Sequence, residues 1–284
     1  MEKIFVCLTT ISSRLASVHK VVESILSARF DLVDYEVRLY ISNYPYLLDK
    51  GCGEITDQLK NLVRKERGRF SIHYVDNSGP YRKILPIINH VYSLPPADFL
   101  GSLIVTADDD TLYPKDWLDG LYRCFKERKC VIGYRARSIV FDGNSPDKYR
   151  KWDKVIRVNP SIRNVLTGKD GVLYSPFHFH PKVRDVVSAV KYAPKADDLW
   201  LKAHTLVFGV GCFAINDALS DAFPSVEAGD PGPSLYESFN KRGGNDESVS
   251  RLNNYLVSNF GAGFFELCKN PRQYPGYMPI VSVT

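Results

Sequence analysis

The chain has 284 residues, 44% hydrophobic and 24% charged, with 37 Lys and Arg against 32 Asp and Glu, a formal net charge of +5. These are ordinary globular proportions in a chain long enough to bury a full core, and they exclude disorder, collagen and coiled coil as overall classes. The basic residues gather only at Arg64–Arg67 and Lys126–Lys129, read as solvated helix ends. Nucleic acid is therefore not an expected partner, whereas anionic phosphate ligands or peripheral contact with a membrane surface suit the mild excess.

Ile4–Thr9 reads as a buried strand, Ser12 and Ser13 as caps, and Leu15, Val18, Val22, Ile25 and Leu26 as the inner stripe of a helix. The rhythm repeats with a strand over Val37–Ile41, a helix carrying Ile55, Leu59, Leu62 and Val63, and a strand over Ser71–Val75. A helix with Ile84, Leu85, Ile88 and Val91 follows, and then a strand from Leu103 to Ala107. Such strand and helix alternation predicts a mostly parallel α/β sheet with helices on both faces. Ligands of such sheets gather outside the carboxyl ends of the strands.

Asp108, Asp109 and Asp110 stand at one of these ends. Adjacent carboxylates disfavour one another's ionisation, so the run suggests a hard divalent cation held by oxygen ligands. In extended backbone, Asp108 and Asp110 share a side and Asp109 takes the other, an Asp-x-Asp spacing suited to Mn2+ or Mg2+ on a diphosphate. An acidic turn before the next helix has the same composition; there Pro114 suits the first helical position and Trp117, Leu118, Leu121, Tyr122 and Phe125 form the stripe.

The second half is less regular. Val131–Tyr134 and Ser138–Phe141 read as short strands, 142–154 as polar loop, and Phe223–Gly244, rich in Pro and Gly, as a long surface loop. Asn245 is expected to cap a last helix with Val249, Leu252, Tyr255 and Leu256 inward and Gly261 as its stop. No linker between two cores stands out, so a single domain is expected, with a nucleotide-binding half over 1–115 and an acceptor-side half over 116–284. His178 and His180 lack a nearby third ligand, and a surface turn before Pro181 is the expectation. Six cysteines without a C-x-x-C pair, no long hydrophobic leader and no apolar run of the ~18 residues a bilayer demands predict a cytoplasmic protein.

Strand and helix alternation leading to Thr106-Ala-Asp-Asp-Asp-Thr-Leu-Tyr-Pro resembles the nucleotide-sugar-dependent glycosyltransferases of the GT-A fold, a Rossmann-like α/β architecture, most of all the bacterial family-2-like enzymes of surface polysaccharide synthesis. The resemblance covers most of residues 1–260. It implies that Asp108 and Asp110 hold Mn2+ or Mg2+ on the donor diphosphate, with Asp109 nearer the ribose or donor sugar. It further implies nucleotide contacts from Thr9, Thr10 and Arg14, a base contact from Asp76 and a phosphate contact from Lys83. The segment Thr167–Pro176, with Gly171, would lie beneath the donor sugar and near the acceptor.

Ala196-Asp197-Asp198-Leu199 resembles the acidic motif that supplies the catalytic base in inverting members. The choice between Asp197 and Asp198 stays open, with Asp198 favoured. The implied partners are a nucleotide-diphospho-sugar donor and a glycan or lipid-linked glycan acceptor, at the inner face of the plasma membrane. Two other functions fit the same fold, a sugar-nucleotide nucleotidyltransferase and a non-catalytic sugar-binding protein. The first would prefer a Gly-rich loop after the first strand, and Thr10–Arg14 contains no glycine. The second could lose its acidic residues without penalty, and all are present.

Overall fold

A computed structural model describes residues 2–155, 160–215, 222–226, 238–239 and 243–271. The chain divides into two compact units. The first takes residues 2–122, Gly168–Pro176 and 222–226; the second takes Arg123–Thr167, 177–215 and the residues from 238 onward. The boundary does not follow the expected division after residue 115, because a later segment returns to complete the first unit.

The first unit is built on β1 (Lys3–Thr9), β2 (Asp34–Ile41), β3 (Phe70–Tyr74) and β4 (Ser102–Thr106). β1 pairs in parallel with β2 on one side and β4 on the other, β2 pairs in parallel with β3, and Val172–Tyr174 runs antiparallel along β4. This is the expected mostly parallel α/β sheet. The central residues of β1 and all of β4 are buried, which is why both read as unbroken apolar runs rather than alternating ones. The chain leaves β1 toward β2 on one side, while β4 returns on the other. The carboxyl ends of β1 and β4 therefore open side by side at a topological switch point.

Helices α1 (Val18–Leu26), α2 (Asp57–Lys65), α3 (Leu85–Tyr92), α4 (Pro96–Gly101) and α5 (Trp117–Arg128) connect the strands. The stripe of α1 is buried as expected, but Ser12 and Ser13 do not cap it. They belong to a separate 3-10 turn, Ser12–Arg14, because the Ser12 N–H is spent on Asp49 and its hydroxyl accepts from the Lys50 N–H. The stripe of α5 is likewise buried, although the helix opens at Trp117 rather than Pro114, whose carbonyl accepts the Trp117 N–H in a preceding turn.

In the second unit Val131–Gly133 pairs in parallel with Cys212–Ala214, and Ala136–Ser138 lies between Asn164–Leu166 and Asp153–Lys154 in an antiparallel set. The expected polar loop over 142–154 is therefore partly ordered, also by the pairing of Phe141–Asp142 with Ser145–Pro146. Helices α6 (Val186–Tyr192), α7 (Asp197–Val207), α8 (Gly244–Phe260) and α9 (Phe264–Lys269) complete it. Gly243 at φ 97° caps α8, so Asn245 sits in its first turn and does not cap it; Gly261 at φ 74° ends it as expected, and α9 follows. Most of the expected loop over 223–244 lies outside the described residues. Among the described residues no helix is long and apolar enough to cross a membrane.

His178 is buried rather than set in a surface turn, against the Phe125 ring. Burial pushes its pKa down from 6.5 to about 3, and burial holds that of His204 well below its ordinary value. Both rings are neutral in the fold, whereas the unfolded chain protonates them below its ordinary value. Folding stability should therefore fall as pH drops from about 6.5 toward 3, by up to ~1.4 kcal/mol per pH unit for each ring. Urea midpoints between pH 7 and pH 4 check this, and the slope should flatten in His178→Leu.

Candidate functional site

The floor of the site is a buried ion pair that joins three connections of the first unit. Arg82 and Asp49 side chains are each 1% exposed, with Arg82 Nη1 at 2.7 Å from Asp49 Oδ2. Removing both charges from water is costly, so the remaining polar atoms must be satisfied. They are: Asp49 Oδ1 accepts the backbone N–H of Ser12 at 2.9 Å and of Gly51 at 3.0 Å, and Arg82 Nη2 donates to the Thr10 carbonyl at 3.1 Å. Asn77 Nδ2 adds a 3.3 Å contact to Asp49 Oδ2. The turns after β1, β2 and β3 are thereby pinned to one point.

Thr10 carries that order to the carboxylates. Its hydroxyl donates to Asp109 Oδ2 at 2.6 Å, and Arg14 Nη1 donates to Asp109 Oδ1 at 2.7 Å. Asp109 is buried, whereas Asp108 and Asp110 side chains are 29% and 32% exposed. The chain turns at Asp109 rather than staying extended, and it leaves Asp108 and Asp110 more exposed than Asp109. Asp109, expected nearer ribose or sugar, instead spends both oxygens on positioning Thr10 and Arg14.

Each of the two half-exposed carboxylates also lies against a cation, Asp110 sharing Arg14 with Asp109. Lys83 Nζ lies 2.9 Å from Asp108 Oδ1, and Arg14 Nη1 lies 3.3 Å from Asp110 Oδ2. Burial, then the charges of Asp108 and Asp109, raise the Asp110 pKa, with Arg14 pulling it back. Burial works against the Arg14 charge, but Asp109 and then Asp110 outweigh it, and its pKa is raised. Two hard oxygen donors crowded in this way fit a divalent cation that takes its other ligands from water or phosphate. Among the described residues no group of three or more His, Cys, Asp or Glu could hold a metal by itself.

Asp76 is exposed just beyond β3, on the rim where the resemblance puts a base contact. The Thr9 hydroxyl donates to the Tyr40 carbonyl at 2.8 Å, so it braces neighbouring strands. Gly171, at φ 96°, has its Cβ space filled by Trp117, whose Cζ2 would lie 2.5 Å away and whose Nε1 donates to the Asp170 carbonyl. Its lack of a side chain is thus accounted for by tryptophan packing. Gly168 is the glycine of this segment that faces the acidic rim, with Lys83 Nζ 3.1 Å and Asp108 Oδ1 3.7 Å from where a Cβ would stand.

In the second unit Asp197 and Asp198 open α7, every other residue of which is buried. Asp197 is 9% exposed and Asp198 half-buried, its Oδ1 accepting the Leu199 N–H at 2.9 Å. Asp198 is therefore the more accessible carboxylate. Asp49 and Arg82 were not singled out from sequence, since 33 positions separate them. The one available signal was an arginine beside Lys83 in a turn that otherwise packs inward.

No protein family matches the sequence, and no curated protein does. Among solved structures, a mannosyltransferase of Pyrobaculum calidifontis in complex with GDP-Man and Mn2+ superposes with a TM-score of 0.51 at 14% identity, over 94% of this chain and 68% of that one. The fold is GT-A. Residues 1–349 of S. aureus TarS give a TM-score of 0.42 at 14% identity, over 75% of this chain and 58% of that segment, so this chain spans less than two thirds of its length. A 4-diphosphocytidyl-2C-methyl-D-erythritol synthase of Anaerococcus prevotii gives 0.38 at 12% identity, over 70% and 81% of the two chains.

Two substitutions test the scaffold. Arg82→Leu strands a buried carboxylate and should cost about 3 to 5 kcal/mol of folding stability, read from urea midpoints. Gly171→Ala drives a methyl into Trp117 and strains the backbone, and should cost roughly 1 to 3 kcal/mol, read as a lowered Tm.

Proposed function

We propose that this chain is a metal-assisted glycosyltransferase that moves a sugar from a nucleotide-diphospho-sugar to a hydroxyl of a glycan or lipid-linked acceptor, in cell-surface polysaccharide synthesis. The observation that carries the reading is the rim beside β1 and β4, where Asp108 and Asp110 stand half-exposed with Lys83 and Arg14 against them. Carboxylates and cations in one place suit a ligand that is both metal-bound and anionic, which describes a nucleotide diphosphate. A relative in fold that was solved with GDP-Man and Mn2+ supports the donor class and the ion.

Asp108 and Asp110 would hold Mn2+ or Mg2+, which when bound supplies positive charge against the departing diphosphate. Arg14 offers a planar fork to phosphate oxygens and Lys83 a point charge, while Asp76 meets the base. Asp109 and Thr10 keep Arg14 in place. Asp198, or failing it Asp197, takes the proton of the acceptor hydroxyl as that oxygen attacks the anomeric carbon, and a single in-line displacement inverts the configuration there. Six free thiols suit a reducing compartment such as the cytoplasm, where the protein would work at the inner face of the plasma membrane.

Calorimetric titration with UDP, GDP and CMP, with and without Mn2+, tests this reading. Metal-dependent binding of a nucleoside diphosphate with slow donor hydrolysis supports it; affinity for free glycan with none for nucleotide overturns it. Asp110→Ala should remove both metal-assisted nucleotide binding and turnover. Asp198→Asn should leave donor affinity largely intact while lowering turnover by roughly 10²- to 10⁴-fold, the usual range for a general base. Equal loss of donor affinity in both variants would count against separate roles.

A further inference from the structure

We propose that Lys83 is the built-in occupant of the cation position on Asp108, held there until a diphosphate draws it away, so that metal and nucleotide bind together rather than metal first. The inference rests on the nucleotide-sugar reading of this rim and adds an order of binding to it. Lys83 is 7% exposed, and its ammonium sits 2.9 Å from Asp108 Oδ1. Gly168 closes the other side, because a Cβ there would stand 3.1 Å from Nζ and 3.7 Å from Asp108 Oδ1. A side chain at position 168 would press on the ammonium and oblige it to shift by a few tenths of an ångström.

The charge count follows from the contacts. Asp108, Asp109 and Asp110 bring three negative charges, and Lys83 and Arg14 set two positive ones within 3.3 Å of them. A dication arriving alone meets a cluster that is mostly neutralised already. It must also shed water for as few as two carboxylates, since no third acidic, histidine or cysteine ligand joins them among the described residues. A diphosphate changes both terms. Its oxygens offer the Lys83 ammonium another anion, on a flexible stem able to follow it, and they complete the shell of the ion that takes over Asp108. Metal and nucleotide therefore each raise the other's affinity, by the same factor.

Calorimetry on the full chain tests this with Mn2+ alone, with GDP or UDP alone, and with both. Wild-type protein should bind Mn2+ weakly by itself and at least about tenfold more tightly with the nucleotide present, reciprocally. Lys83→Met withdraws a positive charge from beside Asp108, so Mn2+ alone should bind about tenfold or more tightly than to wild type, while nucleotide alone binds more weakly. Gly168→Ala crowds the ammonium without touching its charge, and should shift Mn2+ affinity the same way by less. It keeps the test available if Lys83→Met melts early by circular dichroism. Unchanged or weakened Mn2+ affinity in the folded variants, with nucleotide binding retained, overturns this inference alone. Wild-type Mn2+ affinity that is indifferent to nucleotide overturns it as well. If no variant and no wild-type sample binds a nucleoside diphosphate, the transferase reading falls first.

Discussion

Placing a guanidinium and a carboxylate where neither meets water is tolerated only when every remaining donor and acceptor finds a partner. The Arg82–Asp49 pair meets that condition with backbone groups from the turns after β1, β2 and β3. Satisfying the charges and shaping the rim are therefore one event. Thr10 links this floor to the carboxylates above: its carbonyl is held by Arg82 and its hydroxyl holds Asp109. Asp109 in turn holds Arg14, so a line of charge-assisted bonds runs from the interior to the half-exposed Asp110.

The three acidic residues do different work although they are identical and adjacent. Asp109 faces inward and acts as a brace, whereas the Asp108 and Asp110 side chains remain partly exposed to solvent. Lys83 and Arg14 compensate the outward pair, which lets a cluster that would otherwise repel itself persist.

Features that depend on hydrophobic period were legible from sequence. The strands β1 to β4, the stripes of α1 and α5 and the Gly261 stop follow from burial and from left-handed backbone, which neighbouring residues decide. Capping was less legible. Ser12 looks like a helix cap, but Asp49, far away in the chain, claims its N–H and moves the helix start to Val18. Asn245 lost its expected place to Gly243, which enters the helix in left-handed backbone two residues earlier. The acidic run stands at the carboxyl end of β4, as its place after an apolar strand implied, whereas the contacts of Asp109, Thr9 and Gly171 are set by Arg14, Tyr40 and Trp117, which no local pattern names.

The strand Val172–Tyr174 reaches the first unit only after 45 residues of the second have been made. Until then β4 has β1 on one side and nothing on its other, in a strand whose five residues are all apolar or buried. An unpaired flat edge of that kind invites a strand from another molecule. A nascent or truncated chain that stops at residue 122 would carry this adhesive margin bare, so the first unit depends on a late segment to cover the edge of β4.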